Sequence, residues 1–316
     1  MKKKTLSKIS AILCLTTLFT SSLGQLASAY KECNKKHLHF VEKFLPMPTP
    51  FELETAKNEG KLPELLSKIY RFGKTFLMLA IEQKNPEFVE KILKYAKEAK
   101  LLNFVLTAKD FEGNNVLHHG LKNSQSFDII IKYAKEANIL DSLILDDKNI
   151  KGQTILMTAV QSDSKDSKYA IDVILSKSFL ENLFKIYQKN EFKRFEAFCA
   201  QNLLGIPGGF GIITFSDTVY RLLNSTDNNG NNPLMCAVIK NQPENVKTLL
   251  NAHEQFKVSI KPDCISKIVE QTKKDKNFNI LKILVVNVNL SNKNEILKRI
   301  ENKDETIFDY ILNLIK

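Results

Sequence analysis

Asp227-Asn228-Asn229-Gly230-Asn231-Asn232-Pro233-Leu234-Met235-Cys236-Ala237-Val238 is the stretch whose reading decides the fold. Gly230 allows a turn with positive φ, Asn232 is placed to cap a helix, and Pro233 suits its first position. Leu234 and Ala237 share a face at i, i+3, and the small Ala lets a second helix approach. Asn241-Gln242-Pro243-Glu244 makes a second turn, after which Val246, Leu249 and Leu250 form the stripe of another helix.

The pattern recurs in register. Gly73-Lys74-Thr75-Phe76-Leu77-Met78-Leu79-Ala80 precedes Asn85-Pro86-Glu87 and the stripe Val89, Ile92 and Leu93. Gly113-Asn114-Asn115-Val116-Leu117-His118-His119-Gly120 and Gly152-Gln153-Thr154-Ile155-Leu156-Met157-Thr158-Ala159 are two further copies. Four strings of this form resemble the ankyrin repeat, whose core is Thr-Pro-Leu-His-x-Ala. Pro233 alone keeps the family's proline and His118 alone its histidine. The resemblance implies an all-α solenoid of stacked helix-turn-helix units, joined by short β-hairpin-like turns. Each unit buries its apolar face against its neighbours.

The glycines are 40 and then 39 residues apart, longer than the family's usual unit. The extra length holds a second shared string: Lys94-Tyr95-Ala96-Lys97-Glu98-Ala99 answers to Lys132-Tyr133-Ala134-Lys135-Glu136-Ala137. It extends the second helix and adds an apolar segment before the turn. Clear units are expected near 73–108, 113–145, 152–188 and 230–260. Gly152 to Gly230 is 78 residues, so a worn unit is expected midway, near 193–226. Its first helix would be Lys193-Arg194-Phe195-Glu196-Ala197-Phe198-Cys199-Ala200. Further worn units are expected near 264–300 and 304–316, with Thr306 and Phe308 in the Thr and Leu places.

Residues 30–70 read as an N-terminal helical cap. Cys33–Leu45 is a candidate helix, stopped by Pro46, Pro48 and Pro50. Phe51–Gly60 reads as a worn first helix, and Leu62–Tyr70 as its second. Ahead of it, Met1–Ala29 reads as a secretory signal peptide: Lys2, Lys3, Lys4 and Lys8, an apolar run, then Ala27-Ser28-Ala29. The run is shorter than the ~20 apolar residues of a span and carries hydroxyls, which favours cleavage over an anchor. The chain is therefore expected to be exported, periplasmic or secreted, with no membrane span once the leader is gone, and monomeric.

Removing that leader, which holds four lysines and no acids, takes the formal charge from +11 to +7. Lys91, Lys94, Lys97 and Lys100 alternate with Glu87, Glu90 and Glu98, suggesting i, i+4 pairs on a solvated face. Four cysteines remain, Cys33, Cys199, Cys236 and Cys264. Two disulfides are conceivable, yet register puts Cys199 and Cys236 in one column of helices ~8–10 Å apart, beyond disulfide reach. Free thiols are expected.

No catalytic, cofactor or metal set is expected. Gly73-Lys74-Thr75 looks like the end of a P-loop, but the required first glycine is Lys68. His37 and His39 have the wrong spacing for one helix face, adjacent His118 and His119 point apart, and Asp146-Asp147 reads as a solvated turn. Gly205-Ile206-Pro207-Gly208-Gly209-Phe210-Gly211 lacks the order of a phosphate loop.

The family resemblance implies that hairpin tips and first-helix ends line a concave face that binds another protein. By register these are Arg71, Phe72, Lys74, Glu82 and Gln83; Phe111, Glu112, Asn114, Lys122 and Asn123; Ile150, Lys151, Gln153, Gln161 and Ser162; and Asn228, Asn229, Asn231, Ile239 and Lys240. Phe72, Phe111, Ile150 and Ile239 either anchor the partner or pack between tips. A secreted bacterial effector acting on a host protein is the reading this favours. A periplasmic enzyme using the 205–211 loop, or a basic nucleic-acid binder, are the alternatives.

Overall fold

The computed structural model describes residues 48–201, 214–260, 262–287 and 293–315, without the side chains of 195–201, 262 and 315. The leader, Cys33–Leu45 with His37 and His39, and the 205–211 glycines lie outside those residues. The chain is all-α. In order come α1 (Pro50–Asn58), α2 (Leu62–Ser67), α3 (Phe76–Glu82), α4 (Pro86–Glu98), α5 (Leu102–Thr107), α6 (Val116–Gly120) and α7 (Ser124–Glu136). A π-helical turn, Ser142–Asp146, precedes α8 (Ile155–Val160), α9 (Lys165–Leu175), α10 (Lys177–Gln201), α11 (Phe215–Asn224) and α12 (Pro233–Ile239). Then come α13 (Pro243–Gln255), α14 (Pro262–Lys274), α15 (Phe278–Asn287), α16 (Lys293–Glu301) and α17 (Ile307–Ile315). Among the described residues the one strand-like pairing is the bridge between Ile69 and Thr75.

First helices form one column: α3, α6, α8, α12, α14 and α17 each pack on the next. Local chemistry starts each of the four clear ones. Thr75, Asn115, Thr154 and Asn232 accept from Met78, Leu117, Met157 and Met235 N–H at 3.4, 3.0, 3.5 and 2.9 Å. Leu77, Leu117, Leu156 and Leu234 then share one environment, each at most 1 % exposed. Burying such a side chain is worth roughly 1.5–3 kcal/mol. A second column runs through α1, α4, α7 and α9, and α13 packs on α15.

The apolar segment before each turn is itself a short helix or helical turn: α2, α5, the π turn and α11. Leu66, Leu106, Leu145 and Leu223 occupy the same place before the glycine, and all are buried. This corrects the reading of the first described unit. Gly60 (φ 70°) takes the place of Lys100 (φ 60°), the left-handed residue just after α4. Pro50–Asn58 is therefore a second helix rather than a first, with Leu53 and Ala56 matching Leu93 and Ala96. Leu62–Ser67 is the short connector.

The spacing of 78 also misleads. Lys193–Ala200 does not form the first helix of a separate unit; it is the end of the 25-residue α10. The hairpin at Gly230 stacks directly on the hairpin at Gly152, with Asn228 N–H donating to the Lys151 carbonyl at 3.0 Å. Asn245 Nδ2, on α13, donates to the Val160 carbonyl at the end of α8 at 2.9 Å. The helix α10, Lys177–Gln201, is thus an excursion from the stack between the second helix and the connector of one unit. Phe179, Leu180, Leu183 and Tyr187 bury one face of α10. Asn190 then pins it to the Asn138 carbonyl and to Asp141, both at 2.8 Å.

The outer charges of α4 and α7 pair between units rather than along one helix. Lys91 meets Glu54, while Lys132 meets Glu90 at 3.0 Å and Lys97 meets Glu136 at 2.7 Å. Residues 37–42 positions apart on adjacent helices stand close enough for side chains to cross, so the expected i, i+4 partners lose out. Asp146 is not a solvated tip either. It is half-buried and paired with Arg221, and Asp147 accepts from Asn115 Nδ2 at 2.9 Å. Burial raises the Asp146 pKa, although Arg221 and Arg194 pull the other way.

Candidate interaction face

Four hairpins stand in a row beside the first-helix column. Each is closed across its glycine: Tyr70 to Lys74 at 2.8 Å, Asp110 to Asn114 at 3.0 Å, Asn149 to Gln153 at 3.0 Å and Asp227 to Asn231 at 2.9 Å. Asp110, Asn149 and Asp227 do more. Their Oδ1 atoms accept from the backbone N–H groups two and four residues on, at 2.8–3.0 Å. Sequence reasoning assigned these three no role, although an Asp or Asn three residues before each glycine was the signal. The hairpins also bond to one another. Phe111 N–H donates to the Phe72 carbonyl and Ile150 N–H to the Glu112 carbonyl, both at 2.9 Å.

This ladder, next to the ends of the first helices, brings the expected face together but splits it by role. Glu112, Lys122, Ile150, Lys151, Asn228, Asn229, Ile239 and Lys240 are exposed. Ile150 is 64 % and Ile239 42 % exposed, which is open apolar surface among lysines and amides. Phe72 and Phe111 are half-buried, and the Phe111 ring lies over Gly73. Arg71, Asn114, Gln153, Gln161 and Ser162 are half-buried as well. Gln83 donates to the Pro48 carbonyl at 2.7 Å, Asn123 caps α7 through Ser126 N–H at 2.7 Å, and Asn231 reaches Asp227 at 3.3 Å. Those three hold the scaffold.

At the N-terminal end of the face a charged cluster ties two units together. Glu82 takes Lys74 Nζ at 2.7 Å and Lys122 Nζ at 3.4 Å. His119 Nε2 lies 2.9 Å from Asp110 Oδ2. Its Nδ1 lies 3.5 Å from Glu82, a charge contact without a hydrogen bond. Burial opposes charge on His119, yet Asp110 and Glu82 outweigh it and raise its pKa. Burial likewise opposes charge on both carboxylates, but His119 first, then Asn114 for Asp110 and Lys74 for Glu82, hold them below the usual range. His118 is the opposite case. Burial drives its pKa down to about 4, and its Nδ1 sits 2.9 Å from Asn115 Oδ1. The two adjacent histidines do point apart, and neither is open to a substrate.

Cys236 and Cys264 are free thiols. Burial, then Asp227, pushes Cys236 up to about 12, so it is not a nucleophile near neutrality. Cys264 donates to Asn232 Oδ1 at 3.4 Å. Among the described residues no cluster of His, Cys, Asp and Glu could hold a metal, and no helix is long and apolar enough to cross a membrane.

The ankyrin-repeat family model matches residues 229–259, the fourth hairpin with α12 and α13. The chain carries an ankyrin repeat at that span, and its fold is an all-α, ankyrin-like solenoid. A comparison with curated proteins finds no match. The matched span opens on the Asn-Gly turn and holds the Pro233-Leu234 helix start. The units at Gly73, Gly113 and Gly152 share its first-helix column, its caps and its hairpin closure. Ankyrin repeats in general mediate protein–protein interaction.

Proposed function

We propose that this ankyrin array captures a partner protein on the face formed by its hairpin tips and first-helix ends. The observation that carries the reading is the exposure of Ile150 and Ile239 beside Lys122, Lys151, Lys240 and the Asn228-Asn229 tip. Isolated aliphatic side chains ringed by polar groups suit anchors, because desolvating them on contact supplies binding energy while the rim fixes orientation. Phe111 is the poorer probe, since removing its ring would also loosen the contact over Gly73. The test is proximity labelling around the full chain in its native host, with wild type compared to the double variant Ile150→Asp, Ile239→Asp. The reading expects a specific partner to fall at least tenfold in recovery, about 1.4 kcal/mol or more, while the melting temperature holds. Unchanged recovery would sink it.

We propose further that the mature protein begins at Tyr30, that it is exported, and that it acts on a host protein as a bacterial effector. The basic start, apolar run and Ala27-Ser28-Ala29 support export. Mass spectrometry of the N-terminus of protein recovered outside the cytoplasm tests it: an intact Met1 there would overturn cleavage.

A further inference from the structure

The hairpin ladder has a direction. In each step the carbonyl just before a hairpin's glycine accepts the N–H from two residues before the next hairpin's glycine: Phe72 from Phe111 at 2.9 Å, Glu112 from Ile150 at 2.9 Å, Lys151 from Asn228 at 3.0 Å. The bare side of each glycine is filled by that next hairpin. A Cβ on Gly73 would stand 2.7 Å from Phe111 N, on Gly113 2.9 Å from Ile150 N, and on Gly152 2.7 Å from Asn228 N.

The fourth hairpin breaks the series. Asn229 is the residue whose carbonyl should accept next, and among the described residues its one hydrogen bond is its own N–H to Asp227 Oδ1 at 2.9 Å. Nothing lies within 4 Å of where a Gly230 Cβ would be. Gly230 is exposed, whereas Gly73 and Gly152 are buried. The array nevertheless continues: α12 packs on α14, and α14 on α17. The helical layers extend past the place where the hairpin layer stops, and among the described residues no hairpin accompanies the later units.

We propose that the Asn229–Gly230 edge is a docking site for a tight backbone turn of a partner protein. The turn donates an N–H to the Asn229 carbonyl and lies along the bare side of Gly230, as the next hairpin would. The occupant follows from continuity. Three successive steps of one ladder show what this edge accepts, a backbone N–H of a tight turn, and the fourth step presents the same acceptor and the same glycine gap. Exposed backbone edges recruit polypeptide in this way, with main-chain bonds giving affinity and neighbouring side chains giving selectivity. The site rests on the reading of the array as a protein binder and names the backbone chemistry of what it takes.

The probe is a cyclic peptide of sequence Thr226–Asn232, a copy of the hairpin that would come next, titrated to about 5 mM into the ¹⁵N-labelled full chain, since one ladder bond supports only an affinity on the order of millimolar. Amide shifts should concentrate at Asn229, Gly230 and Asn231. N-methylation of the peptide's first Asn, the counterpart of Asn228, should weaken them at least tenfold. The Ile150→Asp, Ile239→Asp variant should respond like wild type, which separates this edge from the anchors of the previous reading. Absence of shifts, shifts centred elsewhere, or equal binding by the N-methylated peptide would each overturn the proposal.

Discussion

Two steps of the hairpin ladder cover very different lengths of chain. From Gly113 to Gly152 the chain takes 39 residues; from Gly152 to Gly230 it takes 78. Both end in the same contact, Ile150 to Glu112 at 2.9 Å and Asn228 to Lys151 at 3.0 Å. Stacking in this array is therefore fixed by each unit's turn, caps and first helix, not by what runs between second helix and connector. Closing a loop twice as long costs only ~0.6 kcal/mol more, so a long excursion is tolerated where both its ends are anchored.

The sharpest way to break this comparison is to cut the shared core and the excursion separately. Leu156→Ala, in the first-helix column, should cost about 2–5 kcal/mol. Hydrogen exchange should then rise together in units on both sides of the excursion. Leu183→Ala on α10 should raise exchange in α10 and leave the hairpin amides protected. If Leu183→Ala unprotects Asn228 as well, the excursion is part of the stack.

Next in size is a pair of glycine substitutions. Both Gly152 and Gly230 have positive φ, 74° and 75°, a conformation costing an L-residue roughly 1–2 kcal/mol. Gly152→Ala adds a collision with the Asn228 backbone, whereas Gly230→Ala meets open space. Thermal denaturation should show Gly152→Ala as the more damaging. Equal losses would mean that the fourth hairpin's edge is as covered as the third's.

A smaller effect is expected from the charged cluster. The folded-state pKa of His119 is raised, so its stabilisation is fully present below the unfolded value of about 6.5 and is lost as pH rises through the folded value. Asp110 is lowered, so its share is present above about 3.9 and lost as pH falls through its depressed value. The two titrate as a coupled unit. His119→Gln should therefore lower the melting temperature most between about pH 5 and 6.5, with a gap that narrows at alkaline pH. A gap that widens with pH would reverse the assignment. The smallest effect belongs to the outer pairs: Glu136→Gln, opposite exposed Lys97, should change stability by no more than about 1 kcal/mol and less in high salt.

How far these features could be read from the chain follows the range of the interactions. Gly-x-[Thr/Asn] strings were legible because turn, cap and stripe are settled within a dozen residues. Gly60 misled because a left-handed glycine serves equally between two helices and after the second, and only the packing of Leu53 beside Leu93's column separates the two. Lys193–Ala200 misled because its spacing matched while its own turn signals were missing. The exposed anchors divided likewise: Ile150 and Phe111 hold equivalent hairpin positions, yet one is open and the other lies on its neighbour's glycine.

The sequence by itself determined the helix-turn-helix units, their caps, their hairpins and the all-α ankyrin class, since each depends on backbone preferences and side chains only a few positions apart. Tertiary structure alone decided which hairpin meets which, that α10 leaves the stack, and that lysines pair with a neighbouring unit's acids. Those outcomes depend on contacts between residues 35–85 positions apart, and only the packed helices bring such residues within reach.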